Sequence, residues 1–308
     1  MKLFHIIKLI VFFCILIVAY RYVRMFSEEF KKIFDISWYQ FLIFSLLILI
    51  SLGINGLRLK ILTNIFNISL KPKEWFGLSV VNTMGNYLAF KSGMAANSIY
   101  LKNRHNFPYA TFVSTLAGSL IIVLLTVSIC GIMASSIITY AYGKFNLLLT
   151  IMFLLILLCV ALLLFLPRLS EHTNRVVDFF IRIVNSFNRI KKDTKNVQWL
   201  IFIEFCSLLF FSLRLWYAYR ILGLPIPLIY CLLMSPLITL SSLISISPAD
   251  MGVREAIIGF TSQFLGKGFS QGISAASLDR FVSIIWIFTL GIMFSMILFK
   301  RKDGTKNI

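Results

Sequence analysis

The sequence predicts an all-α, polytopic membrane protein, with about six helices that cross the bilayer and two re-entrant helical hairpins, an arrangement consistent with an inverted repeat. Three observations carry that expectation. Hydrophobic residues fill 59% of the 308 positions and charged ones only 14%; the mean hydropathy is +0.88, and soluble domains have an apolar usage of only roughly 45 to 50%. Several apolar runs approach the roughly 20 residues that a helix needs to cross the hydrocarbon core. Two further apolar stretches are broken by polar, glycine-bearing segments. Nothing between the runs is long enough for a soluble domain, so residues 1–308 are expected to form a single integral membrane domain.

The first run, residues 3–20, is flanked by Lys2 and Lys8 and resembles a secretory signal. It lacks a small-x-small cleavage site, so it is expected to remain as a span with its N-terminus in the cytoplasm. The second run covers 38–57. Residues 75–104 follow, apolar but broken by "AFKSGMAANS", and suit a hairpin better than a crossing. Runs at 109–139 and 147–166 come next, then 197–221 and 277–299. Between the last two lies 227–268, broken by Pro236 and by "SPADMGVRE", a second hairpin.

Charge fixes the expected topology. Arg168, Arg175, Arg182, Arg189, Lys191, Lys192 and Lys195 outnumber Glu171, Asp178 and Asp193 in the 168–196 segment, which places it inside the cell. The tail, with Lys300, Arg301, Lys302 and Lys306, belongs on the same side, so both termini are expected to be cytoplasmic and the protein to sit in the inner or plasma membrane. The linkers at 140–146 and 222–226 carry only Lys144 and suit the outside. The first hairpin then enters from the cytoplasm and the second from outside. Within 168–196, Val176, Phe180, Ile183, Phe187 and Ile190 form one apolar helical stripe, expected to rest on anionic headgroups or to dock a partner.

The net charge of +18 points first to cytoplasmic loops beside anionic lipid. Nucleic acid is not expected as a partner, because no basic, aromatic-studded soluble module is present. Cys14, Cys130, Cys159, Cys206 and Cys231 lie in apolar runs without C-x-x-C pairing, and His5, His105 and His172 are far apart in sequence. No metal site, disulfide framework or cofactor is therefore expected. Gly266-Lys267-Gly268 and Gly143-Lys144 lack the spacing of a nucleotide-binding loop, and no nucleophile accompanies a base, so an enzyme is not expected.

The hairpin tips hold the chemistry. Irregular backbone survives in a membrane only where protein buries it or water lies beside it. At the second tip, Ser247 is placed to cap a helix, with Pro248 at its first position and Asp250 third in. The helix then runs through Met251, Gly252, Val253, Arg254 and Glu255, with its electropositive end facing a cavity that would welcome an anion. Gly252 admits close backbone approach, and Arg254 can pair with Asp250 or reach a phosphate. Glu255 points about 100° from Arg254, so it needs another cation, with Arg280 and Lys91 as candidates. The plainer alternative is that Asp250, Arg254, Glu255 and Arg280 are a structural ion cluster. At the first tip Asn86, Lys91, Ser92, Gly93, Asn97 and Ser98 are polar or small, and their ordinary role is hydrogen bonding between helices. Arg214 lies near the outer end of its run and is expected to snorkel, while Glu204 lies deeper and has more functional interest.

"PADMGVREAIIG" resembles the P-x-x-x-G-x-x-E signature of the lysylphosphatidylglycerol synthase transmembrane domain family, and "NYLAFKSGMAANSIYLKNRH" resembles that family's earlier motif. The resemblance in architecture covers nearly the whole chain. It assigns Pro248, Gly252 and Glu255 to the second motif and Asn86, Lys91, Gly93 and Leu101 to the first. Ala89, Met94 and Asn97 depart from the family's Pro, Glu and basic residue. The resemblance implies a flippase-like protein that handles an anionic phospholipid or a lipid-linked glycan, beside a glycosyltransferase or lipid-modifying enzyme. No soluble synthase domain follows the last run here, so lysyl-lipid synthesis by this chain alone is not expected.

Two functions follow. In the first, Lys91, Gly93, Ser247, Asp250, Gly252, Arg254, Glu255 and Arg280 hold an anionic headgroup for movement across the membrane. In the second, the chain is a non-catalytic scaffold for an envelope-lipid or polysaccharide enzyme, docked through the basic helix.

Overall fold

The computed structural model describes residues 36–300 apart from 90, 144–146, 166–180, 182–183, 189 and 245–246. The expected first span at 3–20 and the basic tail therefore lie outside the described residues. The helices with described bounds are α1 (Trp38–Asn64), α2 (Pro72–Leu88), α3 (Ser92–His105), α4 (Tyr109–Tyr142), α5 (Leu147–Phe165), α6 (Thr194–Ile221), α7 (Leu228–Ile244), α8 (Val253–Phe264) and α9 (Phe269–Phe299). A single 3₁₀ turn, Pro248–Asp250, separates α7 from α8.

Among the described residues, five helices, α1, α4, α5, α6 and α9, are long and apolar enough to cross a membrane, so this is a multi-pass membrane protein. They match the apolar runs read from the sequence, but α1 extends beyond its run to Asn64 and α9 begins at Phe269. Hydrogen bonding continues a helix past the end of its apolar stretch until a cap stops it; Gly268 precedes α9 with φ 91°. α5 buries only Phe153 and Val160 among its described side chains, leaving Leu148, Leu155, Leu158 and Leu162 exposed, as suits a lipid-facing helix.

The shorter helices form two pairs. α2 ends at Ala89, which is extended, and α3 starts after Lys91, at φ 55°. The reversal is tight because Gly93 has no side chain: a Cβ there would fall 1.8 Å from the Asn82 carbonyl oxygen. Gly93 N donates to Asn86 Oδ1 at 3.2 Å, and Ser92 Oγ donates to the Gly85 carbonyl. α7 and α8 pack on each other across the 3₁₀ turn, and that turn packs on α2. The elements of the two interrupted stretches thus meet inside the molecule.

The main core joins Phe44 and Ile48 of α1, Val127 of α4, Leu215 and Tyr219 of α6, Cys231 of α7, and Leu278 and Val282 of α9. A smaller cluster packs Leu59 and Leu70 with Leu78, Tyr100 and Leu101 of the α2–α3 pair. A third holds Leu62, Ile121, Ile122, Val160 and Leu200 together with Phe187 and Ile190. The last two residues belong to the basic stripe, and both are buried. Phe187 and Ile190 therefore pack on the protein's own helices, where the apolar core removes them from water. Val176, Phe180 and Ile183 lie outside the described residues.

Candidate functional site

The helix expected to start at Ser247 starts five residues later. Gly252, at φ 84°, is the N-cap of α8, and its backbone N–H donates to Glu255 Oε2 at 2.9 Å. The capping-box acid is thus Glu255, three residues beyond the cap, and not Asp250. Ala249 and Asp250 stand at φ 49° and 56°, a left-handed stretch that cannot continue into α8, and this is why the helix breaks there. Ser247 supports the turn differently, its Oγ donating to the Met251 carbonyl at 3.0 Å. Two successive non-glycine residues in the left-handed region cost about 1 to 3 kcal/mol each. Arg280 holds the turn from α9, with Nη1 donating to the Ala249 carbonyl at 3.2 Å.

Consecutive residues on α8 face consecutive residues on α9 with opposite charge. Arg254 Nη2 donates to Asp279 Oδ2, and Arg280 Nε lies 2.5 Å from Glu255 Oε1. Glu255 thereby uses one oxygen to cap its own helix and the other to meet Arg280. Asp279 also accepts from Arg214 of α6, from Nε to Oδ1 at 2.9 Å and from Nη2 to Oδ2 at 3.0 Å, while Arg214 Nη2 donates to Ser283 Oγ at 2.6 Å. Arg254 lies over the Phe211 ring at 4.7 Å, and Arg280 over the Tyr87 ring at 5.8 Å.

A cavity of about 210 Å³ opens beside this cluster. Its wall takes Ser51 and Asn55 from α1, Thr83, Asn86 and Tyr87 from α2, Arg214 and Ser283 from α6 and α9, and Ala249, Asp250 and Arg254 from the second tip. Two guanidinium groups, amide and hydroxyl side chains and one carboxylate therefore face a single polar space. The side chains of Arg214 and Arg254 are 11% and 14% exposed, so an anion there would meet charge that water screens little. Such a wall can hold a phosphate ester through charge-assisted hydrogen bonds.

Of the residues expected at the site, Asp250 and Arg254 line this cavity. Gly252, Glu255 and Arg280 stand behind it and shape the tip. Ser247 braces the turn. Lys91 and Gly93 do not line the cavity: Lys91 is exposed at the α2–α3 reversal, and Gly93 is buried between α2 and α3, joined to the wall only through Asn86. Lys91 is not the partner of Glu255; Arg280 is.

Sequence reasoning missed Asp279 altogether and misplaced Arg214, which is buried in an ion pair and does not snorkel. A lone acid inside the apolar run "ASLDRFVSII" was the available signal. Glu204 pairs with Arg58 Nε at 2.8 Å, away from the cavity wall.

No curated protein and no solved structure matches the chain significantly. One family does, and its match includes both interrupted stretches: residues 5–291 fit the lysylphosphatidylglycerol synthase TM region, and the chain belongs to that family.

Proposed function

We propose that the protein is flippase-like and that its cavity receives the anionic headgroup of a phospholipid or lipid-linked glycan while the acyl or prenyl chains stay in the bilayer. The observation that carries this is the convergence of Arg214 and Arg254 on one polar cavity where the two interrupted segments meet. At 1.5 Å per residue, α2, α3, α7 and α8 reach only about 18 to 26 Å, short of the roughly 30 Å hydrocarbon core. Each pair therefore suits a re-entrant hairpin, and the two enter from opposite faces, as an inverted-repeat transporter requires. Family membership supports a lipid as the cargo. The scaffold reading draws less support, since Phe187 and Ile190 of the proposed docking stripe are already buried.

The test is movement of fluorescent phosphatidylglycerol and of a polyprenyl phosphate sugar in reconstituted phosphatidylcholine vesicles, read by accessibility to an impermeant quencher. Arg254→Gln removes a charged hydrogen bond to the headgroup and is expected to slow movement by at least about tenfold. Glu255→Gln, which loosens the tip, is expected to slow it less. Full activity of both folded variants would remove the site from consideration.

A further inference from the structure

We propose that Asp279 is a built-in competitor for the headgroup phosphate, holding Arg254 until the anion takes its place and reclaiming Arg254 to expel it. The inference rests on the cavity being the headgroup site and deepens that reading.

The asymmetry between the two arginines is the starting point. Arg214 grips both oxygens of Asp279 and also Ser283, three bonds that fix it between α6 and α9. Arg254 reaches Asp279 through Nη2 alone, and among the described residues nothing accepts from its buried Nε. A phosphate gripped along the Nε–Nη2 edge, the two-point geometry that suits guanidinium, shares Nη2 with Asp279 and competes with it for the same positive charge.

That exchange exposes no unpaired charge. Breaking a buried ion pair is costly because it strands a partner, typically by about 3 to 5 kcal/mol. Here Asp279, 1% exposed, keeps its two bonds to Arg214 when Arg254 leaves, and Arg254 keeps an anion throughout. Arg254 belongs to the twelve-residue α8, whereas Arg214 and Asp279 belong to spanning helices. The exchange therefore transfers one of the ionic ties of α8 from α9 to the cargo, while Glu255–Arg280 holds the other. Asp250, the carboxylate on the cavity wall, adds repulsion that also favours release.

A competitor has a signature that a structural brace lacks. Asp279→Asn is expected to retain phosphatidylglycerol about tenfold more tightly, since a charged rival for the guanidinium is gone, and to move it more slowly. Retention is read by native mass spectrometry from phosphatidylglycerol-doped detergent micelles, and movement in the vesicle assay. Should Asp279→Asn not fold, Arg214→Gln/Asp279→Asn removes one positive and one negative charge together, and it is expected to retain more phosphatidylglycerol than Arg214→Gln alone.

Asp279→Asn, or the double variant against its single, that binds phosphatidylglycerol no better overturns the competitor. If wild type and Arg254→Gln retain equal phosphatidylglycerol, the cavity reading itself fails, which is a separate outcome. Soluble glycerol phosphate is the second probe. Tightening confined to it would overturn a lipid source for the anion, and tightening with phosphatidylglycerol supports one.

Discussion

One carboxylate and two guanidiniums are buried together, and the cost of burying charge explains why they come with so many bonds. Asp279, Arg214 and Ser283 satisfy one another where water is scarce, and Arg254 joins them through Nη2. The sequence displayed Arg254, Glu255 and Arg280 as charges in fat, so their importance was legible. Glu255 and Arg280 were legible as partners too, since Arg280 was one of two candidates, but Asp279 as the partner of Arg254 and Arg214 was not, because charge pairing across 25 or 65 positions depends on how helices pack and leaves no local pattern. Arg214 shows this most clearly: its distance from the run's end suggested snorkelling, and only the position of α9 reveals Asp279 beside it. The Arg58–Glu204 pair makes the same point away from the cavity. Arg58→Met strands Glu204, whose side chain is 8% exposed, while Arg58 is 29% exposed. The expected loss is about 2 kcal/mol, under the roughly 3 to 5 kcal/mol for a fully buried pair, and Arg58→Met/Glu204→Met should recover most of it. Unfolding midpoints in mixed detergent and SDS micelles check this; a double variant no better than the single one contradicts it.

Among the elements, the long apolar helices were legible because twenty apolar residues leave a chain few alternatives in lipid. The short ones were legible as interruptions, but their start points were not. α8 begins at Gly252 instead of Ser247 because Ala249 and Asp250 turn left-handed, a conformation that a capping pattern does not forecast. α2 begins with a capping device of its own. Glu74 accepts from Lys71 N at 2.8 Å and from Tyr100 Oη at 2.7 Å, and lies 3.2 Å from His105 Nε2, tying the start of α2 to the end of α3. Partial burial raises the Glu74 pKa, but the Lys71 N–H, the Tyr100 hydroxyl and His105 outweigh it and hold the group below its ordinary 4.5. A carboxylate whose folded pKa is depressed stabilises the fold above its unfolded value and loses that contribution as pH falls through the folded one. The stability difference between wild type and Glu74→Gln is therefore expected to close as pH falls below the ordinary value. Thermal unfolding in detergent across that range checks the sign; a difference that widens in acid would contradict it.

For the whole molecule, the order of the spans fixes more than their number. α1 leaves the chain on the face where α4 starts, and α6 leaves it on the face where α9 starts, provided that each short pair returns to its own side. α4, α5 and α6 make three crossings between those two faces, so the faces are opposite. If the two short pairs are re-entrant, as proposed, the α2–α3 pair opens on one side of the membrane and the α7–α8 pair on the other; residues of both line the same cavity. Basic residues bear on the sides: Lys71, Lys73, Lys102 and Arg104 flank the first pair in sequence, and the charge rule predicts the cytoplasm for it. Single cysteines in a background lacking the five native ones test this directly. In right-side-out vesicles an impermeant maleimide is expected to label Lys267→Cys at once, and Ser69→Cys only after permeabilisation. Labelling of both from outside would mean that the pairs share a face. The cavity would then be open to one side only, and alternating access through opposed hairpins would have no structural basis.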